Sequence, residues 1–262
     1  MQIELIKLKS FKKMNDLLKL IKIVKKLRSP SGCDWDKKQT HETLTPYLLE
    51  ETYEVIEAIE NKNFSALKEE LGDLLLHIVF QVDLAQENEK FNFNEVIDGI
   101  CEKLIRRHPH VFYDKSDPRY QEGNWEESKQ KEKKRKSVLE GVPNSLPALL
   151  KARRIQEKAA GVGFDWDKQE QVLAKVDEEI NELKEAIINN KGIEEELGDV
   201  FFTLVNLSRH LNLDSEKSLK QSSEKFSRRF KKIEKDLANK NIAMKNLTLE
   251  QLDEMWKKNK QK

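Results

Sequence analysis

Cysteine is nearly absent from this 262-residue sequence, which holds only Cys33 and Cys101. One widely spaced pair makes no disulfide framework, so both read as free thiols of a protein in a reducing cytoplasm. Long apolar runs are missing too. The N-terminal segment breaks its apolar residues with lysine too often for a signal-peptide core, and no stretch reaches the length of a bilayer span. Leu17, Leu20, Ile21 and Val24 recur instead at helical spacing, which predicts a basic amphipathic helix packed on the rest of the protein; a helix lying on a membrane surface is the alternative. Glycine is sparse, and Gly161-Val162-Gly163 is too small a cluster for a phosphate loop of Walker type, so no parallel-sheet nucleotide fold is expected. Neither charge sign dominates: 48 basic residues face 47 acidic ones, a net +1. A protein that coats nucleic acid would show a basic excess or stripe, so that class is disfavoured.

What the sequence does contain is charge, at 36% of all residues, against a usual quarter or so. Balanced charge at that density predicts long helices with solvated faces, an all-α protein. It also contains a repeat. Asp34-Trp35-Asp36, Glu50-Glu51-Thr52-Tyr53-Glu54, Glu69-Glu70-Leu71-Gly72-Asp73, Lys103-Leu104-Ile105-Arg106-Arg107 and Trp125 occur in that order. Asp165-Trp166-Asp167, Glu178-Glu179-Ile180-Asn181-Glu182, Glu195-Glu196-Leu197-Gly198-Asp199, Lys225-Phe226-Ser227-Arg228-Arg229 and Trp256 then follow in the same order. Two tandem helical-bundle domains are therefore expected, residues 1–140 and 148–262, joined by the Pro/Gly-interrupted segment 141–147. The apolar runs Leu71–Leu84 and Val200–Leu207 read as the buried core helices of the two bundles.

The chemistry lies in the acids. Glu51 and Glu54 are three residues apart, as are Glu70 and Asp73, so each pair leaves one face of a helix and two packed helices converge four carboxylates. Glu179, Glu182, Glu196 and Asp199 repeat the construction. A lone E-x-x-E is ordinarily a solvated helix face, but here both copies set their acids beside apolar residues (Leu48, Leu49, Val55, Leu74; Ile180, Leu183, Val200). Carboxylates gathered in a partly dry site repel one another unless a cation joins them, and magnesium, a hard ion that shares its shell with waters and phosphates, suits oxygen ligands. A di-iron centre is disfavoured because neither copy has Glu-x-x-His; His77 lies four residues after Asp73, where the second copy has Thr203. Lys103, Arg106 and Arg107, and likewise Lys225, Arg228 and Arg229, read either as polyphosphate contacts or as ordinary basic helix surface. Trp125 and Trp256 either stack on a base or anchor packing. His108-Pro109-His110 reads as a turn rather than a zinc site, and no Ser/His/Asp or Cys/His set can be assembled.

These residues resemble the MazG family of nucleoside triphosphate pyrophosphohydrolases, all-α enzymes marked by E-x-x-E followed by E-x-x-D. The resemblance spans nearly the whole chain; its most specific pieces are Cys33 to His41, Leu49 to Val55, Glu70 to Asp73, Arg106 to Phe112 and Val162 to Trp166. It implies hydrolysis of NTPs and dNTPs to monophosphate and pyrophosphate by a homodimer, using Mg2+ with Mn2+ as a substitute. It implies too that the second copy carries the main site. Glu179, Glu182, Glu196 and Asp199 become the metal ligands, and nucleotide contacts fall on Lys175, Val176, Asp177, Glu178 and Glu179, on Gly192, Ile193, Glu194 and Glu195, on Asp199, on Lys225, Phe226, Ser227, Arg228 and Arg229, and on Trp256. Two departures stand out: Asp34 replaces a usual proline, and Gly192 replaces a common lysine, with Lys191 one residue early. Glu178, or Glu50 in the first copy, is a candidate acceptor for the proton of the attacking water, although its position next to a ligand turns it about 100° away on a helix. A non-catalytic helical interaction protein is the alternative reading; it leaves the recurrence of acids beside core residues unexplained.

Overall fold

A computed structural model of the chain describes residues 11–120 and 137–260. Among the described residues every regular element is helical, and no helix is long and apolar enough to cross a membrane. The chain divides into two compact units, Met1–Glu122 and Gly123–Lys262. The segment 141–147 lies within the second unit, as turns leading into its first long helix.

The first unit is built on a helical hairpin, α3 (Thr45–Glu60) and α4 (Phe64–Glu87), flanked by α1 (Phe11–Arg28), α2 (Asp34–Lys37), α5 (Phe93–Arg107) and the short α6 (Pro109–Phe112). Local chemistry sets the boundaries. Pro46 sits in the first turn of α3, where a missing N–H costs nothing. The hairpin turns at Lys62 with φ of 52°, and Asn63 caps α4 by accepting from the Ala66 amide at 3.2 Å. Asn92 and Glu95 cap α5 reciprocally. The apolar stripe of α1 packs on α4 as its spacing requires: Val24, Leu44, Val79, Phe80 and Leu84 form the core, with Leu17, Leu20 and Ile21 against it. Arg28, at the end of α1, is drawn in beside them. Its guanidinium lies 3.2 Å from Asp83, donates to the Asp36 carbonyl at 2.7 Å and stands over the Phe80 ring.

The second unit repeats the plan with α8 (Gln169–Asn189) and α9 (Ile193–His210) as its hairpin, preceded by α7 (Ala148–Ala160) and followed by α10 (Ser215–Asn239) and α11 (Leu249–Lys260). The α8–α9 turn passes through left-handed conformations at Asn190 and Gly192. α7 and α10 pack on α9, and α11 packs on α10. Val172, Val176, Ala186, Val205, Ile233 and Leu237 are buried. The loop at Asp165 is tied to the end of α9 by Arg209 and His210. Asp34, its counterpart in the first unit, is exposed and pairs with neighbouring Lys37 at 2.8 Å.

The expected burial of Leu71–Leu84 holds for its second half only. Burial begins at Val79, whereas Leu71, Leu75 and Ile78 are 48%, 38% and 43% exposed. In the second unit Leu197, Phe201 and Leu204 are likewise 41%, 54% and 41% exposed. A helix of 24 residues is about 36 Å long, and α1 covers only the C-terminal half of α4. Each unit thus presents an apolar stripe on the helix that carries its second acidic pair.

Candidate active site

Glu179 follows Val172 and Val176 on the buried face of α8 and is itself only 6% exposed. It is there because its spacing from the two valines, seven residues from Val172 and three from Val176, keeps it on the inward stripe. Across the hairpin, Glu196 stands in the first turn of α9, where an N-terminal dipole favours negative charge. One carboxylate oxygen from each of Glu179, Glu182 and Glu196 lies within 4.8 Å of the others. Burial, and then the charge of Glu179, raise the pKa of Glu182, with Lys175 opposing them. Asp199, one turn beyond Glu196, is exposed and outside this trio. Lys175 closes the site from one side, 2.8 Å from Glu179 and 2.7 Å from Glu178.

The first unit assembles Glu51, Glu70 and Asp73 in the same way, again within 4.8 Å. Glu54 stands beside them, close enough to raise the pKa of both Glu51 and Glu70. The pKa of Glu51 is raised, first by burial and then by the charges of Asp73 and Glu54; that of Glu70 is raised by burial, then by Glu54 and Glu69. Tyr47 occupies the helical position of Lys175, edge-on to Trp35 at 5.8 Å. The acids here sit at the rim of the core, for Leu49, expected to be core, is 57% exposed. One turn past Asp73, the Nδ1 of His77 is buried without a hydrogen-bond partner among the described residues. Its spacing from Asp73 was the available sequence signal, but the lack of a counterpart at Thr203 hid its place beside the acids.

Both donor sets fit a hard divalent ion. They consist of carboxylate oxygens already gathered at near-ligand spacing, and their mutual repulsion is what a cation relieves.

The remaining candidates fall elsewhere. Glu178 is 56% exposed and engaged by Lys175. Val176 is core and Asp177 exposed. Gly192, Ile193, Glu194 and Glu195 line a hollow at the α8–α9 turn. Lys225 and Arg228 line a separate one with Ser218, Gln221, Ser222 and Glu224. Ser227 is exposed on the same helix. Phe226 packs against Trp256 with ring centroids 4.9 Å apart, and the Arg229 guanidinium lies over the same indole at 5.6 Å. Trp256 therefore anchors α11 to α10 while staying half-buried. In the first unit Lys103 is half-buried, Arg106 exposed and Arg107 only 6% exposed, so Arg107 is not a surface cation. Trp125 lies outside the described residues.

Comparison with known proteins agrees with this duplicated geometry. The MazG nucleotide pyrophosphohydrolase domain matches twice, over residues 39–112 and 167–233, segments that include both acid trios. The chain is 52% identical over 243 residues to a nucleoside triphosphate pyrophosphohydrolase/pyrophosphatase MazG of Thermotoga maritima, covering 92% of this chain and 94% of that protein. It is 44% identical to a nucleoside triphosphate pyrophosphohydrolase of Escherichia coli K12, with 93% and 96% covered. It is also 39% identical to the YabN protein of Bacillus subtilis, over 91% of this chain and 50% of that one. With both of its acid-bearing hairpins inside the matched segments, the chain belongs to the MazG nucleotide pyrophosphohydrolase family.

Proposed function

We propose that this protein hydrolyses nucleoside and deoxynucleoside triphosphates to the monophosphate and pyrophosphate with Mg2+, or Mn2+ in its place, and that the second unit is the working site. The observation that carries the reading is the trio Glu179, Glu182 and Glu196, one of its members 6% exposed. Three gathered carboxylates, one of them buried, carry more negative charge than the single rim lysine Lys175 offsets, and Asp199 is one helical turn away to add an oxygen. When bound, the ion supplies positive charge to the phosphate oxygens and to the attacking water. The protein's own residues do the rest. Lys225, Arg228 and Arg229 bind phosphate oxygens, and Glu178 takes the proton of the water. A water oxygen forms a bond to the α-phosphorus as the α–β bridging bond breaks, and pyrophosphate leaves.

We further propose that it acts as a homodimer, in a cytoplasm where the exposed, unpaired Cys33 and Cys101 stay reduced. The exposed stripes Leu71, Leu75, Ile78 and Leu197, Phe201, Leu204 support the dimer, because apolar rows on hairpin helices ordinarily find a partner.

The test is to incubate the purified chain with each NTP and dNTP, with magnesium or with chelator, and identify products by chromatography. Monophosphate and pyrophosphate, lost with chelator, are expected; diphosphate and phosphate, or no turnover across the panel, refute the reading.

A further inference from the structure

The two acid trios differ in one neighbour. Lys175 Nζ bridges Glu178 at 2.7 Å and Glu179 at 2.8 Å, and Tyr47 stands at its position in the first unit. The pair is placed for exchange rather than for permanent structure. Glu179 is the most deeply placed member of its trio, with a side chain 8% exposed, whereas Lys175 is 30% exposed on a flexible stem that reaches in from the rim. An ammonium on the Glu179 carboxylate occupies oxygen that a divalent ion would take, and two cations on one carboxylate repel.

We propose that Lys175 is an exchangeable counter-cation. It neutralises Glu179 while no divalent ion is bound, is expelled by the ion, and then turns to the polyphosphate that the ion helps to bind. The inference rests on the metal reading of the second unit. Nucleotide then engages Lys175 only after the ion has freed it, which orders the two events. The first unit, with Tyr47 in place of the lysine, binds an ion without any such release.

The experiment uses the full chain carrying Glu51→Gln, so that only the second trio is intact. Amine acetylation of Lys175 is followed by mass spectrometry, and Mg2+ binding by calorimetry. Labelling of Lys175 is expected to be slow in chelator, severalfold faster with magnesium chloride, and slow again when α,β-methylene-ATP is added. Adding Lys175→Met is expected to tighten Mg2+ binding about two- to fivefold, the range of a half-exposed ion pair. If Mg2+ binds in a manner abolished by Glu179→Gln while the labelling of Lys175 does not change, the pair is static and the exchange is refuted with the metal site intact. If no binding depends on Glu179, the metal reading fails and the exchange falls with it. The labelling arm needs no change at Lys175, so a folding defect in the methionine variant cannot decide the result.

Discussion

Two buried charges show how burial assigns a residue its task. Glu179 and Asp83 both lie on inward stripes of hairpin helices, but Asp83 faces Arg28, whose side chain is 5% exposed. Burial, followed by the charge of Glu87, raises the pKa of Asp83 despite the guanidinium beside it. This is a structural pair: Arg28→Met strands a buried carboxylate and is expected to cost about 3 kcal/mol. Urea unfolding would measure it, and a loss under about 1 kcal/mol would count against the pair. Glu179 instead shares its surroundings with Glu182 and Glu196 and meets only the rim lysine Lys175 at 2.8 Å among the described residues, an arrangement that suits the ligand role proposed for it. Glu179→Gln is expected to lower kcat/KM at least about 100-fold while Glu51→Gln leaves turnover within about twofold; the reverse pattern would move the working site to the first unit. The E-x-x-E and E-x-x-D spacings made both trios legible, because helical period alone puts those carboxylates on one face. The same spacing gave no sign that Asp199 stands outside its trio or that Arg107 is buried, since both depend on how far neighbouring helices reach.

At the level of the elements, the end of α1 is fixed by backbone space. A Cβ on Gly32 would meet the Leu27 carbonyl oxygen at 2.0 Å, and the Cys33 amide donates to that same carbonyl at 2.8 Å. Gly32→Ala must open this turn, and a loss of at least about 1–3 kcal/mol is expected; an unchanged Tm would show that the turn yields freely. The α3–α4 seam carries a pH signature. Glu51 and Glu70 have raised pKa values, so they favour the fold fully below their unfolded values, and that contribution is lost as pH rises through the raised ones. A divalent ion offsets repulsion that exists only when the acids are charged. The Mg2+-induced rise in Tm is therefore expected to be larger at about pH 7.5 than at about pH 5, and equal rises in a Glu179→Gln background would refute this account of the first unit.

For the whole molecule, the repeated exposure of Leu71, Leu75 and Ile78 and of Leu197, Phe201 and Leu204 sets the expectation. Placing a charge in the second stripe, Phe201→Glu, should shift the chain from dimer to monomer in sedimentation and reduce turnover without unfolding it. A wild-type chain that sediments as a monomer at micromolar concentration would remove the dimer altogether.

Sequence alone determined the helical class, the duplication and the two acidic faces, because each follows from period and order along the chain. It determined the inward stripe of α1 for the same reason. Only the tertiary structure decided which apolar residues are covered. Leu71 and Leu84 lie on one helix and look alike in the sequence, but α1 crosses only the second half of α4. It alone also decided that Lys175 meets Glu179, while at Tyr47 the first unit offers Glu51 no such cation among the described residues, since a side chain's charge becomes an interaction only when packing fixes the distance to its neighbour.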